Sequence, residues 1–156
     1  MARTTPATLA LDRAGVAYGL ATYDYDPQAP RVGLHAAESL GVTPERVLKT
    51  LMTLVDGKPV CAVLAADQEV AMKKLASAAG GKSAAMMKPA DAERVTGYKV
   101  GGVSPFGQKR AVPTLVDIAA MTHPKVFVNG GQRGLQIELA PADLVAALGA
   151  KVASLT

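Results

Sequence analysis

The chain contains both continuous apolar runs and regularly spaced apolar residues, and the two patterns predict different secondary structures. Residues 47–55 and 60–64 are largely apolar and flank Asp56-Gly57, a dipeptide typical of tight turns between antiparallel strands, so they predict a β-hairpin. Residues 70–79 instead place apolar side chains three or four positions apart. That spacing predicts an amphipathic helix ending at the glycine pair that follows.

Glycine, proline and capping residues limit the other elements. Thr5 and Pro6 predict the start of the first helix, and Gly15 predicts its end. Helices are expected over residues 6–14, 34–40, 70–79, 89–95 and from 141 to near 149, and strands over residues 17–23, 47–55, 60–64, 113–118, 125–128 and 135–139. Hairpins mix with helices and no regular strand–helix repeat occurs, so we expect an α+β fold around a mixed, mainly antiparallel sheet.

The composition narrows the class of protein. With 156 residues, 49% of them hydrophobic, the chain can bury a sizeable core, and a single domain over residues 1–156 is expected. No signal segment and no apolar stretch of bilayer-spanning length occurs, which predicts a soluble cytoplasmic protein without a membrane partner. Cys61 is the only cysteine, so no internal disulfide can form, and its apolar neighbours predict a buried thiol.

The charge balance is mildly positive. Seventeen Lys and Arg residues against 13 Asp and Glu residues give a net charge of +4, which is compatible with a polyanionic partner. Aromatic residues are scarce, with no Trp, two Phe and four Tyr, and this argues against binding of single strands by base stacking. Any contact with RNA is therefore expected to depend on charge and backbone geometry.

Two cations stand where they could bind a phosphate. Lys49 lies in the middle of an apolar predicted strand, so its ammonium faces either solvent or a pocket, where it would anchor a phosphate or carboxylate. Arg133 follows Gly131 in a glycine hairpin that could present it to a phosphate or be structural only. The pattern leaves both alternatives open for each residue.

Residues 101–107, the glycine loop, read Gly-Gly-Val-Ser-Pro-Phe-Gly and cannot form regular structure. Its glycines allow the backbone to approach a ligand and direct N–H groups at an ester carbonyl or phosphate, although a tight connection would need the same residues. The loop lacks the lysine and hydroxyl spacing of a nucleotide-binding P-loop, which argues against kinase or NTPase chemistry.

No other motif predicts a known catalytic centre. His35 and His123 have no companions at metal-ligand spacing, and Ser104 lacks the flanking pattern of a nucleophile elbow. We therefore expect no metal, no cofactor and no catalytic triad.

Several blocks of the chain occur in the order seen in the YbaK family. The blocks are residues 23–27, 47–51, 101–110, 130–134 and 138–144. The most specific of them, residues 101–110, resembles the glycine-to-proline loop of the cysteinyl-tRNA(Pro) deacylase branch. Because the match spans nearly the whole chain, the sequence is similar to the YbaK/EbsC-type aminoacyl-tRNA deacylases.

This resemblance implies a barrel-like fold related to the editing domain of bacterial prolyl-tRNA synthetase, and hydrolysis of the ester between an amino acid and tRNA. Lys49 would hold the phosphate or ribose end of the substrate. The glycine loop would shape the pocket and supply backbone donors through Gly101, Gly102, Ser104 and Pro105. Substrate contacts are further implied for Tyr23, Val32, Gly131, Arg133 and Asp143, although a carboxylate two residues after Pro141 also suits a helix N-terminus.

In the cysteine-specific branch, the resemblance implies that the thiol of the substrate attacks its own ester carbonyl, which explains why no triad is visible. The expected partner is aminoacylated tRNA(Pro), with prolyl-tRNA synthetase as a further candidate and no DNA. Two alternatives stay open: a deacylase for alanine or for serine or threonine, and a non-catalytic module that binds tRNA or a synthetase. The deacylase hypothesis predicts one cleft bordered by Lys49, Tyr23 and residues 101–105.

Overall fold

The computed structural model describes residues 4–28 and 32–156. The helices are α1 (Pro6–Ala14), α2 (Val32–Leu40), α3 (Met72–Ala78), α4 (Pro89–Thr96) and α5 (Pro141–Leu148). The strands are β1 (Gly19–Thr22), β2 (Leu48–Val55), β3 (Lys58–Ala65), β4 (Ala84–Met86), β5 (Thr114–Asp117), β6 (Val126–Asn129), β7 (Leu135–Leu139) and β8 (Lys151–Ala153).

Local chemistry explains several of these boundaries. The Thr5 side chain accepts a hydrogen bond from the Thr8 N–H in a capping box at the start of α1, and Gly15 ends that helix in the left-handed conformation. Asp56 and Gly57 both have positive φ, as the tight turn between β2 and β3 requires. The predicted first helix and the predicted hairpin are therefore confirmed.

The strands form two sheets. The larger sheet has the order β4-β2-β3-β5-β8, in which β3–β5 and β5–β8 are parallel and the other pairs antiparallel. The smaller sheet, β1-β7-β6, is antiparallel throughout. A parallel bridge between Val47 and Phe127 connects the two sheets. The predicted α+β fold with a mixed, mainly antiparallel sheet is confirmed.

The main hydrophobic core lies between the two sheets. Its members include Leu48, Met52, Val63 and Val116 from the larger sheet and Val126, Val128, Ile137 and Leu139 from the smaller one. A second cluster packs α3 against the hairpin, and a third lies under α2. None of the helices formed by the described residues has the length and hydrophobicity needed to cross a membrane.

The structure differs from the predicted elements mainly in short strands that pair with residues far away in the sequence. The first strand is confined to Gly19–Thr22, the part that pairs with β7, and the short strands β4 and β8 were not predicted. Within residues 4–28 and 32–156, β4 pairs only with the end of β2, and β8 pairs in parallel with β5. Pairing with residues far along the chain defines both strands, so local periodicity does not reveal them.

Candidate active site

A cavity of about 450 Å³ lies along one edge of β2. Among the described residues, β4 covers only the end of that edge, at Thr53, Leu54 and Val55, and no strand pairs there with the first half of β2. The register with β3 places the backbone N–H and C=O of Thr50 on this open edge. A strand edge with exposed backbone groups thus forms one wall of the cavity.

Lys49 and Gly101 line this cavity together. Lys49 is half-buried, and its neighbour across the hairpin, Leu64, is fully buried. Gly101 has φ +89°, and a Cβ there would lie 2.6 Å from the Tyr25 hydroxyl, so both the backbone conformation and the space require glycine. Two candidates that are far apart in the sequence therefore border the same space.

Asn129, at the end of β6, also lines the cavity and holds the glycine loop. Its side-chain amide donates a hydrogen bond to the Gly101 carbonyl (3.2 Å), and its Oδ1 accepts one from the Gly131 N–H (2.7 Å). No motif in the sequence singles out Asn129 as a candidate. The sequence feature that could have indicated Asn129 is its position between a predicted strand and two glycines.

Other candidates in the glycine loop lie outside the cavity lining. Gly102 is buried against the backbone of the 131–134 turn, and its N–H donates to the Lys99 carbonyl. Ser104 is fully buried, and its Oγ accepts a hydrogen bond from the Phe106 N–H (3.2 Å). Pro105 is also buried. Their contacts shape the turn of the loop behind Gly101.

Arg133 and Tyr25 support the loop from outside the cavity. The Arg133 Nε donates to the Val100 carbonyl (2.9 Å), and its guanidinium lies 5.3 Å from the centre of the Tyr25 ring. Gly131 has φ +92°, and a Cβ there would meet the Tyr98 ring at 2.8 Å. Arg133 thus contacts the residue before Gly101, but it does not line the cavity.

Three buried polar atoms near the cavity have no hydrogen-bond partner among the described residues: Thr50 Oγ1, Gln136 Oε1 and the Tyr23 hydroxyl. Thr50 and Gln136 line the cavity, and Gln136 is only 4% exposed. Buried polar atoms without partners are costly in a folded protein, so the two that line the cavity, Thr50 Oγ1 and Gln136 Oε1, are candidates for hydrogen bonds with a ligand.

Tyr23 lies beside Gln136 rather than in the cavity lining. Its ring packs edge to face with His35 at 5.8 Å between centroids, in the cluster under α2. Burial raises the pKa of its phenol above 10, and its hydroxyl faces the Gln136 side chain without a hydrogen bond of good geometry. The phenol is therefore protonated at neutral pH and can still donate.

The last two candidates lie elsewhere. Asp143 is exposed in the first turn of α5, where a carboxylate stabilises the helix N-terminus. Val32 begins α2, but its side chain lies outside the described residues. The structure thus brings Lys49 and Gly101 together at the cavity and leaves Asp143 outside it.

Comparison with known proteins identifies the family. A model of the aminoacyl-tRNA editing domain matches residues 27–147 of the chain, a range that includes the cavity. The chain belongs to the aminoacyl-tRNA editing domain family. The resemblance stated from the sequence blocks is therefore confirmed.

Comparisons with individual proteins are consistent with this assignment. EbsC of Enterococcus faecalis, which carries the provisional name Cys-tRNA(Pro)/Cys-tRNA(Cys) deacylase, is 41% identical over 121 residues, covering 77% of this chain and 74% of EbsC. The proline–tRNA ligase of Acidithiobacillus ferrooxidans is 31% identical over 85 residues, covering 54% of this chain and 15% of the ligase. A crystal structure described as a candidate trans-editing enzyme for prolyl tRNA synthetase has a TM-score of 0.82 at 22% identity, covers 99% of both chains and shows the shared fold.

The cavity of this editing domain is mainly apolar. Its apolar walls include Val47, Leu48, Leu51, Met52, Met86, Met87, Val100 and Val103. Within residues 4–28 and 32–156, no three His, Cys, Asp or Glu side chains gather as metal ligands would. Cys61 lies outside the cavity lining in the main core, where burial raises the pKa of its thiol to about 12. The described side chains that line the cavity therefore offer a substrate one cation, Lys49, one carboxylate, Glu69, further hydrogen-bond acceptors and an apolar surface.

Proposed function

We propose that this editing domain deacylates mischarged tRNA(Pro) in the cytoplasm, with Cys-tRNA(Pro) as its preferred substrate. The observation that carries the proposal is the meeting of Lys49 and Gly101 at one largely apolar cavity inside the editing-domain fold. The provisional name of EbsC supports the choice of cysteine.

The cavity has the size of a site for a small organic ligand, and we assign to it the aminoacyl group with part of the terminal adenosine. Lys49 would bind the phosphate or ribose end through a charge-assisted hydrogen bond. Thr50 Oγ1 and Gln136 Oε1, which have no hydrogen-bond partner among the described residues, would accept hydrogen bonds from the α-ammonium of the amino acid. These contacts fix both ends of the ester.

The proposed reaction uses the nucleophile of the substrate. The cysteine sulfur forms a bond to its own carbonyl carbon, the carbon–oxygen ester bond breaks, and the thiol proton passes to the departing ribose oxygen. The products are free tRNA and a cyclic thioester, which water then opens to cysteine. Among the described residues no group accepts a hydrogen bond from the Gly101 N–H, so this N–H is a candidate donor to the ester carbonyl.

The apolar walls support cysteine over serine. A thiol behaves as a small hydrophobic group when buried, whereas a hydroxyl buried without a partner carries a free-energy cost. A serine hydroxyl is also a weaker nucleophile than a thiol, and alanine has no nucleophile for this step. Binding therefore need not supply all the discrimination between these amino acids.

Two other hypotheses make different predictions. A deacylase for alanine or for serine or threonine would hydrolyse those esters with a water molecule. A non-catalytic module would bind tRNA or prolyl-tRNA synthetase and hydrolyse nothing. The match to proline–tRNA ligases favours tRNA(Pro) as the partner, with the synthetase itself as a second partner in the proposal.

The decisive experiment incubates the purified protein with tRNA(Pro) charged separately with cysteine, alanine, serine and proline. We expect the Cys-tRNA(Pro) ester to disappear at least tenfold faster than the others. S-methylated Cys-tRNA(Pro), in which the thiol cannot attack, should resist hydrolysis. Rapid hydrolysis of the S-methylated ester would disprove the substrate-assisted step, and stability of all four esters would disprove the deacylase.

A further inference from the structure

The net positive charge of the chain is concentrated in one segment. Residues 82–110 contain six of the 17 Lys and Arg residues but only two of the 13 Asp and Glu residues, which leaves eleven of each sign in the remainder. The excess of +4 therefore belongs entirely to this segment. A charge imbalance confined in this way indicates a surface for a polyanion better than a diffuse excess does.

The same segment forms one wall of the cavity. It contains β4, α4 and the glycine loop, and it contributes Met86, Met87, Pro89, Ala92, Val100, Gly101 and Val103 to the lining. Lys88 directly precedes the lining residue Pro89, and Lys99 directly precedes Val100. Two basic residues are thus sequence neighbours of residues that line the cavity.

Hydrogen bonds place two more cations beside α4. The Lys109 N–H donates to the Thr96 carbonyl and the Arg110 N–H to the Val95 carbonyl, which fixes both residues at the C-terminal end of the helix. We define the basic rim as Lys88, Lys99, Lys109 and Arg110, all of them exposed. It extends past both ends of a helix that is about 12 Å long.

The acidic residues of the segment do not neutralise the basic rim. Asp91 pairs with Arg94 at 2.7 Å, and Glu93 accepts a hydrogen bond from the Val100 N–H at 2.9 Å. Among the described residues no ion pair involves any member of the basic rim. Its four positive charges therefore face solvent.

Helix stabilisation explains only part of this arrangement. Cations near the C-terminal end of α4 suit the helix dipole, which accounts for Lys109 and Arg110. Lys88, however, is the N-cap residue, and its side chain makes no capping hydrogen bond. A positive charge at that end opposes the dipole, so a partner outside the chain gives the better explanation.

We infer that the basic rim binds phosphates of the acceptor end of the tRNA while the aminoacyl ester occupies the cavity. This inference rests on the proposed function and adds the surface that holds the tRNA body. Each phosphate contact releases counterions, so removing one rim charge should weaken binding about fivefold near 0.1 M salt and reduce the salt slope by about 0.7 to 0.9.

The test compares two variants of equal net charge. The rim variant combines Lys88→Gln, Lys99→Gln, Lys109→Gln and Arg110→Gln. The control variant combines Arg13→Gln, Lys58→Gln, Lys73→Gln and Lys125→Gln, four exposed residues that do not line the cavity. Filter binding of uncharged tRNA(Pro) and single-turnover hydrolysis of Cys-tRNA(Pro) and of cysteinyl-adenosine, an ester without phosphates, are measured at several salt concentrations.

We expect the rim variant to bind tRNA at least a hundredfold more weakly than the control variant, with a flatter salt dependence. Its loss of activity on Cys-tRNA(Pro) should exceed its loss on cysteinyl-adenosine by a similar factor. Equal tRNA binding by the rim and control variants would overturn the inference. So would a rim variant that keeps tRNA binding but no longer binds prolyl-tRNA synthetase, because the surface would then serve a protein.

Failure of the proposed deacylase function would give a different experimental result from failure of the basic-rim inference. In that case the unsubstituted protein would hydrolyse neither ester, while filter binding would still test the basic rim. If the fourfold rim variant melts below the control variant, the single variants Lys88→Gln and Lys109→Gln provide the same comparison one charge at a time. Unchanged tRNA affinity and salt slope in both would overturn the inference.

Discussion

The side-chain amide nitrogen of Asn129 lies 3.2 Å from the carbonyl oxygen of Gly101 and donates a hydrogen bond to it. The Oδ1 of the same side chain accepts a hydrogen bond from Gly131, so one residue at the end of β6 ties the glycine loop to the following turn. The position of Gly101 at the cavity therefore depends on the smaller sheet, whereas that of Lys49 depends on the larger one.

Gly101→Ala should reduce deacylation by at least a hundredfold. The new Cβ would meet the Tyr25 hydroxyl at 2.6 Å and would also require positive φ, so the loop must move away from the ester. Gly80→Ala is the matched control, because Gly80 has φ +78° and open space around it. Both variants carry backbone strain, and only Gly101→Ala should lose single-turnover activity. Similar activities in the two would show that the close approach at Gly101 does not matter for the reaction.

Lys49→Ala should abolish or severely reduce deacylation while the protein remains folded. Loss of one charge-assisted hydrogen bond costs about 1.5–3 kcal/mol, or roughly ten- to more than a hundredfold in rate or affinity. Single-turnover hydrolysis of Cys-tRNA(Pro) and thermal melts of both proteins provide the test, with Lys73→Ala at an exposed position of α3 as the control. A fully active variant with a normal melt would remove Lys49 from the site.

Thr50→Val should weaken substrate binding about tenfold without lowering the melting temperature. Its Oγ1 lines the cavity and has no partner among the described residues, so replacement by a methyl group removes a buried acceptor that only a ligand satisfies. Thr53→Val on the same strand should lower stability instead of substrate binding, because the Thr53 Oγ1 is buried and donates to the Val60 carbonyl at 2.7 Å. That variant should melt lower and keep its KM. An unchanged KM in Thr50→Val would argue against the proposed ammonium contact.

Cys61→Ala should retain deacylation. The Cys61 thiol is fully buried and desolvation raises its pKa from 9.0 to about 12, so it contributes no thiolate at neutral pH. Because its pKa is raised on folding, this thiol favours the folded state below about pH 9, and that contribution is lost as the pH rises towards 12. In the native protein, alkylation by a thiol reagent at pH 8 should follow the rate of unfolding. Loss of activity in a folded Cys61→Ala variant would contradict the use of the substrate thiol alone.

Sequence rules identified those candidate site residues whose signal lies in neighbouring positions of the chain. Neighbouring sequence positions alone reveal that Lys49 lies within an apolar strand. They also reveal the glycines of the loop at residues 101–107. The same rules placed Ser104 and Gly102 with Gly101, because adjacent loop residues are alike in sequence. The structure separates them: the Gly102 N–H and the Ser104 Oγ are used inside the turn, and Gly101 lines the cavity.

By itself, the sequence determined the α+β class, the β2–β3 hairpin, the capped first helix and the family, since periodicity, turn residues and motifs act over a few neighbouring positions. Only the tertiary structure decided where the cavity lies, because it forms where the short strand β4 stops covering β2 and the smaller sheet approaches through Val47 and Phe127. Asn129, Gln136 and Thr50 line the cavity for the same reason. Whether these residues have hydrogen-bond partners depends on contacts between segments that are far apart in the sequence. A local sequence pattern cannot predict such contacts.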